Sequence, residues 1–136
     1  MKLNFDVDGN EYNLAGKSSS EIKKILKQLG INPELIRKVA IASYEAEINM
    51  VIHGGGGTIK VEITTEKIYL CFTDEGPGIS DVNLAMKAGY STASDQAREM
   101  GFGAGMGLPN MERYSDGMKI TSGLNKGTKV EIEFYI

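Results

Sequence analysis

Residues 32–53, NPELIRKVAIASYEAEINMVIH, carry the pattern on which the fold turns. Asn32-Pro33 joins an N-cap residue to a proline at the first helical position, which predicts a helix running to about His53. That helix is apolar nearly all round, with Leu35, Ile36, Val39, Ala40, Ile41, Ala42, Ala46, Ile48, Met50, Val51 and Ile52. Such a helix is expected to be buried on most sides, so its polar residues Ser43, Glu45, Glu47, Asn49 and His53 need a reason to be there. Glu45 and Asn49, one helical turn apart, share a face. A carboxylate and a carboxamide on an apolar helix are costly unless paired, hydrated or bound. A hydrogen-bonded pair without chemistry meets that need. So does a Mg²⁺ site, because hard oxygen ligands suit an ion that keeps several waters and bridges to phosphates. Glu47 lies about 200° round the helix from Glu45 and is expected at solvent or a partner surface.

Working outward, Leu3, Phe5 and Val7 alternate with Lys2, Asn4 and Asp6, the period of a half-buried strand. Asp8-Gly9 is a turn dipeptide, after which Tyr12 and Leu14 are expected to return as a second short strand. Ser18-Ser19-Ser20-Glu21 fits a capping box opening a helix with Ile22, Ile25, Leu26 and Leu29, and Gly30 is placed to end it. Beyond the glycine run 54–57, strands are predicted over about 58–65 and 67–73. The second presents Ile68, Leu70 and Phe72 on one face, and Asp74 continues that face. A short helix follows Ser80-Asp81. Residues 89–107 lack an apolar stripe and read as a mobile loop. A helix over about 107–115 and strands over about 118–122 and 128–136 complete an α/β fold. The expected architecture is a two-layer sandwich, a mixed, mostly antiparallel sheet with about four helices on one face, in a single domain, 1–136.

Fifteen Lys+Arg against 18 Asp+Glu give a net charge of −3, which argues against a protein that neutralises nucleic-acid phosphates. No apolar run approaches the roughly 20 residues of a membrane span, and the N-terminus lacks a secretion-signal pattern. One Cys, Cys71, forms no internal disulfide, so a cytoplasmic setting is expected. A single His and a single Cys make a His/Cys zinc site a poor fit.

The informative number is 17 glycines. Ala15-Gly16-Lys17-Ser18 fails as a P-loop because Glu11 stands where the earlier glycine is required. Gly101 to Gly107 fails as a dinucleotide fingerprint, since its glycines alternate and no βαβ unit surrounds them. Two clusters remain: Asp74-Glu75-Gly76-Pro77-Gly78 after a strand, and Gly101, Gly103, Gly105 and Gly107 before a helix. Backbone N–H groups in such turns converge on phosphate oxygens, and a following helix N-terminus adds favourable partial charge.

Three ordered segments carry a resemblance. Glu45-Ala46-Glu47-Ile48-Asn49 with Met50 to Gly54 resembles the N box of the GHKL ATPases, the superfamily of gyrase, Hsp90, histidine kinases and MutL. Asp74-Glu75-Gly76-Pro77-Gly78-Ile79 resembles their first glycine box, and Gly103-Ala104-Gly105-Met106-Gly107-Leu108 their second. With Tyr90-Ser91-Thr92 ahead of the second box, the chain most resembles the bacterial anti-sigma-factor serine/threonine kinases and stress-pathway switch kinases.

The resemblance implies an ATP/ADP site in which Asn49 binds Mg²⁺ and Glu45 is the general base. Asp74 would accept from the adenine amino group, with Gly76, Gly78 and Ile79 approaching the base and Thr128 beside it. Thr92 and the backbone of Gly103, Ala104, Gly105, Met106, Gly107 and Leu108 would hold phosphates under a lid, with Arg98 reaching the γ-phosphate. The implied function is Mg-ATP-dependent phosphorylation of a Ser or Thr on a small anti-anti-sigma-like (STAS) protein. The alternatives are nucleotide-dependent sequestration of a sigma factor or phosphatase with little turnover, and an accessory ATPase. No direct nucleic-acid or membrane contact is expected, and a homodimer is compatible with the resemblance. Tyr44 beside Glu45, and His53 followed by glycines, depart from the family pattern.

Overall fold

Alternating side chains become five strands, β1 (Lys2–Asp8), β2 (Gly56–Ile63), β3 (Lys67–Asp74), β4 (Gly117–Ser122) and β5 (Thr128–Tyr135). They form one sheet in the order β1-β2-β3-β5-β4. The computed structural model describes residues 1–9, 15–52, 55–74, 76, 107–122 and 127–136. The strand expected at Tyr12–Leu14, His53, the short helix after Ser80 and the loop 89–106 lie outside them. Every pairing among the described strands is antiparallel, in keeping with the mostly antiparallel sheet that was expected. β5 inserts between β3 and β4 and runs opposite to both.

Register turns the alternation into continuous apolar rows. Leu3, Val61, Leu70, Ile132 and Met118 line up across the sheet, and so do Phe5, Ile59, Phe72, Val130 and Ile120. Three of the four expected helices fall among the described residues: α1 (Lys17–Gln28), α2 (Pro33–Ile52) and α3 (Gly107–Tyr114). Their residues Ile22, Leu26, Val39, Ala42, Met50 and Met111 join the buried rows in one core. Burying each large side chain contributes about 1.5–3 kcal/mol.

The helix ends follow local rules with one exception. Asn32 caps α2, its Oδ1 accepting from the Glu34 N–H at 2.8 Å. Gly30, with φ 72°, ends α1 in a Schellman arrangement. There the N–H groups of Gly30 and Ile31 donate to the carbonyls of Lys27 and Leu26 at 3.1 and 3.2 Å. The start of α1 is not the expected capping box. Gly16, in the left-handed region with φ 96°, precedes it, and no side chain of α1's own N-cap supplies a bond.

Glu47 of α2 does this work instead, and it is not at solvent or a partner surface. It is 1% exposed, and its Oε1 and Oε2 accept from the N–H groups of Ser19 and Ser18 at 2.8 and 3.2 Å. An ionised carboxylate with two oxygens is a stronger acceptor than a serine hydroxyl, and it also meets the positive end of the helix dipole. Ser19 Oγ therefore turns away and donates to the Gly16 carbonyl at 2.9 Å. The other buried polar group of α2, Ser43, donates to its own helix at the Val39 carbonyl, 2.6 Å away. Replacing Glu47 by Ala strands two N–H groups at a buried helix start. Glu47→Ala should lose about 2–4 kcal/mol in urea unfolding with an unchanged m-value, and amide exchange at Ser18 and Ser19 should accelerate.

Candidate functional site

The apolar face of the sheet changes character at one end. Two residues beyond the Phe5–Ile120 row, the same face carries Val7, Gly57, Asp74, Thr128 and Ser122 in register. Three of these five are polar, and one has no side chain. Asp74 ends the central strand, half-buried, and accepts from the Gly76 N–H at 3.0 Å and from the Thr128 N–H. Burial pushes its carboxyl above the ordinary value, and the two backbone donors oppose that push. Thr128 Oγ1 lies 2.9 Å from Ser122 Oγ, which also donates to the Gly127 carbonyl at 2.9 Å. Gly57 allows the close approach of β2 here. A Cβ at that position would collide with the Thr73 carbonyl and come within 2.9 Å of Met50 Cε on α2. The polar end of the sheet thus lies against the C-terminal half of α2, the half that carries Asn49.

Glu45 and Asn49 are both partly buried on α2. Burial pushes the Glu45 carboxyl up from its ordinary value, and a hydrogen bond from the Asn110 side chain on α3 pulls it partway back. Glu45 also lines a groove of about 360 Å³ between α1 and α2, together with Ser20, Lys23, Ile41 and Tyr44. Tyr44 is 41% exposed, and its ring packs where a Cβ on Gly16 would sit, 2.8 Å from Cε2. Burial raises the Tyr44 hydroxyl pKa, and the neighbouring charges of Glu45 and Glu47 raise it further. Among the described residues no cluster of three His, Cys, Asp or Glu could hold a metal by itself.

Of the residues singled out from sequence, Glu45, Asn49, Asp74, Gly76, Gly107, Leu108 and Thr128 are described. Asp74, Gly76 and Thr128 come together at the sheet end, Glu45 and Asn49 lie one turn apart on α2, and Gly107 and Leu108 open α3. Leu108 is buried. Gly78, Ile79, Thr92, Arg98, Gly103, Ala104, Gly105 and Met106 lie outside the described residues. Two participants were not singled out from sequence, Asn110 and Ser122. Their partners are on other elements, so no local spacing marks them.

Residues 35–136 match the family of histidine kinase-, DNA gyrase B- and HSP90-like ATPases. The chain is 34% identical over 137 residues to an anti-sigma F factor of Thermoanaerobacter sp. (strain X514), covering 93% of this chain and 92% of that protein. It is 26% identical over 113 residues to the serine/threonine-protein kinase RsbT of Bacillus subtilis, covering 80% and 79%. Among solved structures it resembles the RsbU and RsbW domains of a Mycobacterium tuberculosis protein, with a TM-score of 0.67 and 16% identity. That match covers 98% of this chain and 31% of the larger one, and it speaks to the fold alone. No helix among the described residues is long and apolar enough to cross a membrane. With a family match over well over half of its length, the chain belongs to the histidine kinase-, DNA gyrase B- and HSP90-like ATPases.

Proposed function

We propose that this chain is a cytoplasmic Mg-ATP-dependent protein serine/threonine kinase. Its substrate would be a small anti-anti-sigma-like (STAS) protein, and residues 1–136 would form one nucleotide-binding domain. The observation that carries this reading is Glu45, partly buried on an otherwise apolar helix, one turn from Asn49 and lining a groove. Membership in an ATPase family and the likeness to an anti-sigma F factor and to a serine/threonine kinase support it.

Asp74 suits adenine because an ionised carboxylate only accepts and the exocyclic amine only donates. The partner's hydroxyl would enter along the groove beside Tyr44 and Lys23. Its oxygen would form the new bond to the γ-phosphorus, its proton would pass to Glu45, and the bond to the β–γ bridging oxygen would break to release ADP. Magnesium, when bound with Asn49 as its protein ligand, neutralises charge on the phosphates. Gly78, Ile79, Thr92, Arg98 and the 103–108 backbone complete the nucleotide site in this reading. The name of the Thermoanaerobacter relative favours a second reading, nucleotide-dependent capture of a sigma factor with little turnover.

Calorimetry with Mg-ATP and Mg-ADP tests the nucleotide site. Asp74→Asn places an amide donor against donors and should weaken binding at least about tenfold, with guanine nucleotides binding worse than adenine nucleotides in wild type. Glu45→Gln should leave nucleotide affinity within about twofold yet cut phosphate transfer to a STAS protein by roughly 10²–10⁴. Asn49→Ala should weaken Mg-dependent binding and transfer together. Partner capture without any labelled partner in wild type would favour the second reading.

Stability tests the cost of holding Glu45 where it is. Its folded pKa is raised, so its contribution is full below the unfolded pKa and is lost as pH rises through the folded one. Glu45→Gln, permanently neutral, should melt at a higher temperature than wild type at pH 7. The gap should close as the pH falls below about 4.

A further inference from the structure

We infer that Ser122 is a positioning residue for nucleobase selection: it takes the hydroxyl proton of Thr128, so that Thr128, beside Asp74, can only accept. The inference rests on the nucleotide-binding reading above and adds to it a residue that acts through Thr128. The three side chains occupy one row of the covered face. Asp74 stands opposite Thr128 across β3 and β5, and Thr128 stands opposite Ser122 across β5 and β4. Ser122 Oγ lies 2.9 Å from the Gly127 carbonyl oxygen and 2.9 Å from Thr128 Oγ1. A hydroxyl has one proton to give, and a carbonyl has none. The contact with Gly127 is therefore made by the Ser122 proton. The contact with Thr128 is then made by the Thr128 proton, the one assignment that satisfies both short distances. Gly127 is buried with φ 75°, a conformation glycine adopts freely, and this turn of the backbone presents its carbonyl to Ser122.

The consequence lies in what Thr128 has left to offer. A hydroxyl that is free to rotate donates or accepts to suit its partner. It would meet a carbonyl on a purine as readily as an amine. With its proton committed to Ser122, Thr128 offers lone pairs alone, and an ionised Asp74 next to it does the same. The row suits a ligand edge that brings donors, as an exocyclic amine does. It opposes an edge that brings a carbonyl oxygen, because acceptor against acceptor leaves both unpaired where Asp74 and Thr128 are partly buried. Ser122 does this without touching the ligand.

The test measures binding of Mg-ATP and Mg-ITP to the full chain by calorimetry, since ITP carries a carbonyl where ATP carries the amine. Wild type should prefer ATP. Ser122→Ala should lower that preference about 3–10-fold, the scale of one neutral hydrogen bond, chiefly by tightening ITP. Ser122→Cys, whose sulfur accepts weakly, should do the same, while Ser122→Thr, which keeps a hydroxyl, should retain the wild-type preference. In a Thr128→Val background, Ser122→Ala should change the preference no further. An unchanged ATP-to-ITP ratio in Ser122→Ala and Ser122→Cys, an equal fold-change in the Thr128→Val background, or a wild type that binds ITP as tightly as ATP would each overturn the role of Ser122. Wild-type binding of ATP would in those cases leave the nucleotide reading standing. No heat with either nucleotide in the wild type would instead overturn the nucleotide reading, and the role of Ser122 with it.

Discussion

The structure depends on one contact, the Glu47 carboxylate against the first N–H groups of α1. A helix as apolar as α2 has no strong preference for which side meets which neighbour, because most of its sides are greasy. Burying a charge at one angular position removes that ambiguity. An unpaired carboxylate in the core is costly, while one that accepts two backbone N–H groups at a helix start is satisfied. Once Glu47 is fixed on α1, the residues about 200° away have their direction set as well. Glu45 then meets α3 and the groove edge, where its chemistry is available. The contact that looks structural sets the phase of the helix that carries the site.

The sheet supplies the other half by the same economy of pattern. One face carries apolar rows beneath the helices, and the site begins where that periodicity continues but the residue type changes. Asp74, Thr128 and Ser122 occupy the row after Phe72, Val130 and Ile120, on the same face and in the same register. No special loop is needed to aim Asp74; the pleat aims it. Gly57 puts no side chain next to it on β2, where the Thr73 carbonyl and Met50 pack too close to admit one. Partial burial raises the cost of the Asp74 charge, and the N–H groups of Gly76 and Thr128 offset part of it. The carboxylate is thus held in place while keeping acceptor capacity.

Features governed by short-range periodicity were legible in the sequence. The alternation of Ile68, Leu70 and Phe72 already placed Asp74 on the covered face, and Asn32-Pro33 and Gly30 marked helix ends that the structure reproduces. The start of α1 was misread because its true acceptor is 28 and 29 residues away from the two donors. Three serines and a glutamate in the right order look like a cap until a stronger acceptor arrives from another helix. The Glu45–Asn110 bond was equally out of reach, since nothing in the spacing of residues on α2 refers to α3. The strand order β3-β5-β4 was not legible for a related reason: it is decided by long-range pairing.

Two glutamates two positions apart on one helix show how environment divides labour between identical groups. Glu47 is fully enclosed, and its bonds to two backbone donors leave it little to offer a reactant. Glu45 is enclosed only in part, and burial leaves its pKa raised although Asn110 donates to it. Proton transfer favours a base whose pKa lies nearer the working pH than that of a free carboxylate, and partial desolvation moves Glu45 in that direction. In the proposed reaction, complete burial would keep a partner's hydroxyl out, and full exposure would leave the pKa ordinary. One carboxylate is locked away and holds the phase of the helix, while the second stays only partly desolvated, as the proposed role of base requires.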